Sequence, residues 1–228
     1  LSFITLFIIW RFNARKYITS STVASAYDAW TQDKLLERLW GEHIHLGFYA
    51  TGKQNIDFRE AKVQFVHKLV NWSGLDKLPK GSRILDVGCG IGGSSRILAK
   101  YYGFNVTGIT ISPAQVKRAR ELTPSGLNCN FLVMDALDLK FEDGSFDAVW
   151  SVEAGAHMND KNKFADEMLR ILRPGGYLAI ADWNSRDLRA YPPTFFEKLV
   201  LKQLLEQWVH PDFISINEFS NILRVNKN

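Results

Sequence analysis

The sequence is short of cysteine and of excess charge, and each shortage excludes a class of protein. Two cysteines among 228 residues cannot form the disulfide framework of a small secreted domain, so we expect a reducing compartment. The 28 Lys and Arg residues exceed the 24 Asp and Glu residues by only four, which does not predict a nucleic-acid partner. The hydrophobic share of 46% is typical of one globular domain with some extra chain.

Residues 1–10 (LSFITLFIIW) carry no charge, and three basic residues, Arg11, Arg15 and Lys16, follow closely. A bilayer-spanning helix needs about 20 apolar residues, roughly twice this length. The pattern favours the end of a membrane anchor with its basic flank on the cytoplasmic side. A signal-peptide core or a buried helix are the alternatives. We therefore expect a membrane-associated protein that faces the cytoplasm, with residues 1–19 as a separate segment.

Strand-like and helix-like segments alternate from residue 83 onward. Short apolar runs predict five strands, at residues 83–87, 105–110, 130–135, 146–152 and 177–183. Helical spacing lies between them, and Ser112 followed by Pro113 is typical of a helix start. This order predicts an open α/β fold, a parallel sheet with helices on both faces. In such folds the ligand binds at the carboxyl ends of the strands.

Outside this region the sequence predicts helices and no strand. Apolar spacing indicates helices at residues 33–40, 58–72, 195–208 and 216–223. We expect residues 20–78 to form a helical cap or lid and residues 79–228 to form the α/β domain. The turn RPGG, at residues 173–176, is expected to precede the fifth strand.

A glycine-rich turn follows the first predicted strand and reads Asp86-Val-Gly88-Cys89-Gly90-Ile-Gly92-Gly93. Glycines allow a ligand to approach the backbone N–H groups at the start of the next helix. The spacing fits both a dinucleotide turn and the turn of S-adenosylmethionine enzymes. Asp86 favours the second, because a carboxylate attracts the ammonium of methionine and repels a pyrophosphate. Cys89 is best interpreted as a small side chain in a crowded turn.

The second and third strands end in polar residues with different interpretations. A dinucleotide site favours an acid about 20 residues after the glycines, and Thr110 stands there instead. Thr110 or Ser112 remains able to hydrogen-bond a ribose. Asp135, followed by Ala136, is placed to accept from an adenine amine or to cap the strand end.

Two histidines are candidate general bases. Glu153 and His157 follow the fourth strand four residues apart, so that one helical turn would let the carboxylate orient the imidazole. A salt-bridged Glu and a capping His are the structural alternative. His45 lies in the aromatic stretch WGEHIHLGFY, at residues 40–49. No third ligand accompanies His43 and His45 in the sequence, and we predict no metal site.

Together these motifs have a family resemblance. The segments ILDVGCGIGG, VTGITIS, FDAVWSVEAGAHM and LRPGGYLAI resemble class I S-adenosylmethionine-dependent methyltransferases of the tocopherol methyltransferase group. YDAWT and WGEHIHLGFY look like the amino-terminal signature of that group, which sterol C-methyltransferases share loosely. The resemblance spans residues 20–222. It implies a Rossmann-like fold, S-adenosyl-L-methionine as cofactor, and a cofactor site that also includes Ile111, Gln115 and Ser151.

The resemblance also implies a reaction and a substrate class. Members of this group methylate a ring carbon of prenylated hydroquinones, so we expect a lipid-tailed quinol as substrate and contact with a membrane. A positioned base would remove a phenolic proton; His157 oriented by Glu153 is the first candidate and His45 the second. The cap segment before Asn55 would close as an aromatic lid. Relatives would add a sixth and a seventh strand, and we expect both to be missing here, which leaves the methyltransferase domain incomplete at its carboxyl end.

Alternative functions remain open at this point. One alternative is a γ-tocopherol-type or sterol-type C-methyltransferase, which would act on a different substrate. A truncated remnant would bind the cofactor without turnover. The interpretation as an NAD-dependent oxidoreductase rests on the glycine turn alone.

Overall fold

The computed structural model describes residues 17–50 and 55–226. At its centre lies a parallel sheet whose strands β1 to β5 have the spatial order β3-β2-β1-β4-β5. The strands are Arg83–Val87, Asn105–Thr110, Cys129–Val133, Phe146–Val152 and Leu172–Ala181. The open α/β fold predicted from the sequence is therefore confirmed. Because the strand order reverses between β1 and β4, the sheet has its ligand-binding crevice at their carboxyl ends.

Eight α-helices surround this sheet in the described residues. In chain order, α1 to α8 are Ser20–Gln32, Leu35–Trp40, Phe58–Ser73, Gly93–Tyr102, Pro113–Leu122, Lys161–Arg170, Phe195–Trp208 and Ile216–Val225. Short 3-10 turns occupy Leu75–Lys77 and Gly155–His157. The predicted bounds of α7 are confirmed, and so is Ser112 as the cap of α5. Gly74, with φ 78°, ends α3.

The two faces of the sheet pack against different helices because alternate strand residues point to opposite sides. On one face, Ile84 and Trp150 are buried together with residues of α3 and α4. On the other face, Leu85 and Val149 are buried against Phe164 of α6. Helices cover both faces, which leaves the carboxyl edge of the strands as the open side of the sheet.

Several predicted bounds are wrong for local reasons. β5 starts at Leu172, and the RPGG residues form an irregularity inside it, where the pairing jumps from Phe146–Leu172 to Ala148–Tyr177. β3 ends at Val133, before Asp135. α2 starts at Leu35 because Lys34 has a left-handed backbone, with φ 51°, which interrupts the helix predicted from residue 33.

Other expectations concern the ends of the chain. Residues 1–16, where the anchor was predicted, lie outside the described residues. Across residues 17–50 and 55–226 the sheet has no sixth or seventh strand. Within the same ranges, no helix combines the length and the apolar character that crossing a bilayer requires.

Candidate active site

A cavity of about 330 Å³ opens at the carboxyl ends of the strands. It brings together most of the residues singled out from the sequence, which come from both the α/β domain and the predicted cap. The predicted cofactor residues on its wall are Asp86, Gly88, Cys89, Gly90, Thr110, Ile111, Gln115, Asp135 and Ala136. The three candidate catalytic residues, His45, Glu153 and His157, line the same cavity.

Three predicted contacts are placed elsewhere. A Cβ on Gly92 would lie 2.6 Å from the Phe131 ring, so this glycine is needed for packing and does not line the cavity. Ser151 is fully buried in β4, and its hydroxyl has no hydrogen-bond partner within the described residues. Ser112 is also fully buried, and its Oγ donates to Asp28 and accepts from the Gln115 N–H as a helix cap.

Asp86 is a buried carboxyl on the cavity wall. Only 2% of the residue is exposed, and the Ser95 hydroxyl donates to its Oδ2 at 2.5 Å. Burial raises the pKa of Asp86 to about 7, and the Ser95 hydrogen bond offsets only part of that rise. A cationic group that entered the cavity would relieve this desolvation by pairing with the carboxylate.

The glycine turn leaves room for a ligand beside Asp86. Gly90 has φ 55° and lines the cavity, yet nothing lies within 4 Å of the position that a Cβ would occupy. A ligand is therefore free to reach the backbone at this point. An uncompensated carboxylate next to an open glycine backbone fits the amino-acid end of S-adenosylmethionine.

The next two strand ends supply polar atoms further along the wall. Thr110 Oγ1 donates to Gln115 Oε1 at 2.7 Å, so the two predicted contacts form one hydrogen-bonded pair. Asp135 Oδ1 accepts from the Leu137 N–H, as in the strand-end cap considered from the sequence. Asp135 also lines the cavity, so capping the strand end and facing a ligand are compatible.

Another wall comes from the cap segment, residues 40–47, which one cation ties to helix α3 and a second ties to the glycine turn. Lys62, 4% exposed, donates to the carbonyl oxygens of Trp40 and His43. Arg96 pairs with Glu42 at 2.5 Å and donates to the carbonyl of Ile91 in the glycine turn. In this structure the cap segment is closed against the glycine turn.

His43 and His45 form a hydrogen-bonded pair in the cap segment. His45 Nδ1 donates to the Leu46 carbonyl, since a carbonyl only accepts, and its Nε2 then accepts from His43 Nδ1 at 3.1 Å. Burial is the main cause that lowers the pKa of His43 to about 3 and that of His45 to about 4. Both nitrogens of His45 are engaged, which disfavours it as a base.

His157 is held by partners that the sequence did not indicate. Its Nδ1 donates to the Val209 carbonyl at 3.3 Å, and its Nε2 accepts from the Tyr27 hydroxyl at 2.9 Å. The ring also stacks on His210, with centroids 4.1 Å apart. Burial, with the neighbouring His210, lowers the pKa of His157 to about 3. The imidazole is therefore neutral and has no free nitrogen.

Glu153 does not orient His157, contrary to the prediction. Its Oε1 accepts from the Leu46 N–H at 2.9 Å, so the carboxylate joins the cap segment to the end of β4. Its backbone is left-handed, with φ 53°, so the two residues do not share one face of a regular helix. A strained backbone of this kind is common at functional sites, and it presents this carboxylate at the cavity wall.

Sequence reasoning missed a group of aromatic lining residues. They come from α1 and the chain before it, from the end of α7 and from the chain after it: Tyr17, Tyr27, Trp208, His210 and Phe213. Tyr27 lies in the family signature YDAWT, and Trp208 and His210 lie in LKQLLEQWVHP, residues 201–211, a stretch that also resembles the family. Tyr17 and Phe213 belong to segments without a motif, and only the fold brings them to the cavity.

Comparison with known proteins agrees with this geometry. Residues 85–180 match the family model described as a methyltransferase domain. The chain is 60% identical over 210 residues to the 2-methyl-6-phytyl-1,4-hydroquinone methyltransferase of Synechocystis sp., which covers 92% of this chain and 66% of that protein. It is 38% identical to the chloroplastic tocopherol O-methyltransferase of Arabidopsis thaliana, over 83% of this chain and 58% of that protein.

A solved structure has the same fold. The putative sarcosine dimethylglycine methyltransferase of Galdieria sulphuraria superposes with a TM-score of 0.73 at 26% identity, over 86% of this chain and 73% of that one. The chain spans less than two thirds of the length of the two curated relatives named above, 66% of one and 58% of the other. These matches resolve the ambiguity of the glycine turn in favour of a methyl donor. Residues 85–180 form a methyltransferase domain, and over most of its length the chain is similar to the group of class I S-adenosylmethionine-dependent methyltransferases that includes the tocopherol and 2-methyl-6-phytyl-1,4-hydroquinone methyltransferases.

Proposed function

We propose that this protein transfers a methyl group from S-adenosylmethionine to a ring carbon of a prenylated hydroquinone, 2-methyl-6-phytyl- or 2-methyl-6-solanesyl-1,4-hydroquinone. The observation that carries the proposal is that the glycine turn and the aromatic cap segment line one shared cavity. A methyl donor and an aromatic acceptor would meet there, shielded from water. The 60% identity to the Synechocystis enzyme supports the choice of acceptor.

Binding of the donor depends on the α/β wall. S-adenosylmethionine supplies an electrophilic methyl group on a sulfonium. Asp86 would pair with its ammonium, the open backbone at Gly90 would receive its amino-acid end, and the polar strand ends at Thr110 and Asp135 would bind the nucleoside. These residues bind and orient, and alignment of two reactants contributes much of such a rate enhancement.

Activation of the acceptor depends on the part of the cavity where the cap segment meets the end of β4. A phenol has a pKa near 10 and is therefore protonated at neutral pH. A hydrogen-bond acceptor that removes or shares the hydroxyl proton raises the electron density on the ring carbon and makes it more nucleophilic. His157 and His45 fit this role poorly, because both ring nitrogens of each imidazole are engaged in hydrogen bonds. We propose Glu153, a carboxylate on the cavity wall, as the group that accepts from the acceptor hydroxyl.

The transfer balances as one substitution. The ring carbon forms a bond to the methyl carbon, the donor leaves as S-adenosylhomocysteine, and the ring loses one proton to solvent. Buried neutral histidines support this step indirectly, since they add hydrogen bonds without placing a cation beside the positively charged donor.

The test is a transfer assay of the 228-residue chain with methyl-labelled S-adenosylmethionine. We expect product from 2-methyl-6-phytyl-1,4-hydroquinone, and a loss of turnover of about 100-fold in Glu153→Gln. The exposed Glu142 is the matched control, and Glu142→Gln should keep full turnover. Faster methylation of γ-tocopherol would move the protein to the tocopherol branch. Tight binding of S-adenosylhomocysteine without any transfer would identify a cofactor-binding remnant.

A further inference from the structure

Helix α7 has two surfaces with different surroundings. Leu204 and Trp208, in its second half, line the cavity. Residues 194–200, in its first half, are all exposed, although the helix contains four large apolar residues there. Phe196 and Leu204 are eight residues apart, which corresponds to about 12 Å along a helix axis. One short element thus links the active-site wall to an apolar surface.

The exposed apolar group is large and belongs to an ordered element. It comprises the residues that we name the apolar tip: Tyr191, Phe195, Phe196, Leu199 and Val200. Phe195 and Phe196 are each 76% exposed. Thr194 and Glu197 form a reciprocal capping box at the helix start, so this turn of helix has a defined end. Contiguous exposed apolar patches of this kind mark interaction sites.

The charges around the apolar tip are basic in balance. Residues 186–202 contain four cations, Arg186, Arg189, Lys198 and Lys202, and two acids, Asp187 and Glu197, which gives 4 − 2 = +2. Both acids are engaged, because Glu197 pairs with Arg186 and Asp187 accepts from backbone N–H groups. Neither Lys198 nor Lys202 has an ion pair within the described residues. The net field favours an anionic partner.

We propose that the apolar tip is the site at which this protein docks on an anionic lipid surface. Aromatic and aliphatic side chains would enter the headgroup boundary, and Lys198 and Lys202 would contact lipid phosphates. The choice of a lipid surface rests in part on the proposed lipid-tailed substrate. A cavity of about 330 Å³ that receives the donor and the quinol ring has no room for a long isoprenoid tail, so the tail needs a path out of it, and α7 leads from the cavity to the docked surface.

The experiment is co-sedimentation of the 228-residue chain with vesicles of phosphatidylcholine alone or mixed with phosphatidylglycerol. We expect binding to the anionic vesicles, weakened about tenfold or more by Phe195→Ser with Phe196→Ser. Lys198→Gln with Lys202→Gln should weaken binding about fivefold per lysine, on the anionic vesicles only. Trp72→Ser is the matched control, because Trp72 is 79% exposed on α3, and it should bind as the parent does.

Three results would overturn the proposal. The first is equal binding by the parent and the double phenylalanine variant; residues 1–16 are the same in both, so they cause no difference. The second is equal binding to neutral and anionic vesicles. The third is a parent dimer that the double phenylalanine variant makes monomeric, which would assign the tip to self-association. Vesicle binding requires no methyl transfer, so it can fail while the transfer assay succeeds, and the reverse.

Discussion

The two walls of the cavity are built in opposite ways. The donor wall comes from strand ends and the turn after β1, where each polar residue is placed by its own local segment. The acceptor wall is the part of the cavity where the cap segment and α1 meet the end of β4. It is held by pairs that are distant in sequence, such as Tyr27 with His157, 130 residues apart, and Leu46 with Glu153, 107 residues apart. The donor wall contains a carboxyl whose pKa is raised, while the acceptor wall contains histidines whose pKa values are lowered. The donor wall is thus suited to attract a cation, and the imidazoles of the acceptor wall are neutral.

The largest expected effect is on the donor wall. Asp86→Asn should weaken S-adenosylhomocysteine binding about 100-fold or more, since a buried charge-assisted pair is lost. The same change should stabilise the empty protein, by the full amount above pH 7. The folded pKa of Asp86 is about 7 and its ordinary value is 3.8, so the stability of the parent falls as pH rises from about 4 to 7 and is level above that. The gain is on the order of a few kcal/mol.

Calorimetric titration and thermal melts at pH 5 and pH 8 measure both effects. Asn keeps an oxygen for the Ser95 hydroxyl, so the variant should fold. If Asp86→Asn binds as tightly as the parent, the assigned role of this carboxyl is wrong.

The next effect is on stability and is expected where Lys62 of α3 holds the cap segment. Lys62→Met would leave the carbonyls of Trp40 and His43 without their buried donor, at a cost of about 2–4 kcal/mol. Denaturant unfolding measures the cost. Lys100→Met, on the exposed side of α4, should cost less than about 0.5 kcal/mol. Equal stabilities for the two variants would show that Lys62 does not hold the cap segment.

The acceptor wall gives the smallest single effect. Tyr27→Phe removes the hydroxyl that donates to His157 Nε2, which should cost about 1–2 kcal/mol and raise the KM for the quinol more than the KM for the methyl donor. Steady-state kinetics with each substrate varied in turn distinguishes the two. An equal rise in both KM values would mean that the two walls are not separate in function.

The same contrast explains what the sequence allowed us to predict. The five strands, and the position of nine predicted cofactor residues on the cavity wall, follow from local patterns, because apolar runs and glycine spacing determine short segments. Gly92 and Ser151 do not line the cavity, because spacing does not reveal which side of a turn or strand faces it. The orientation of His157 was wrong because its partners lie on α1 and after α7, which no local pattern connects.

The most direct test of the account is the affinity for S-adenosylhomocysteine between pH 5 and pH 8, with the Asp86→Asn variant as reference. Below pH 7 the Asp86 carboxyl of the empty protein is protonated and must lose its proton to pair with the ligand ammonium. We expect the affinity to fall by up to tenfold for each pH unit below 7, and the buffer to take up protons on binding at pH 6. We expect no such pH dependence in the variant. An affinity independent of pH in the parent, or the same slope in the variant, would contradict it.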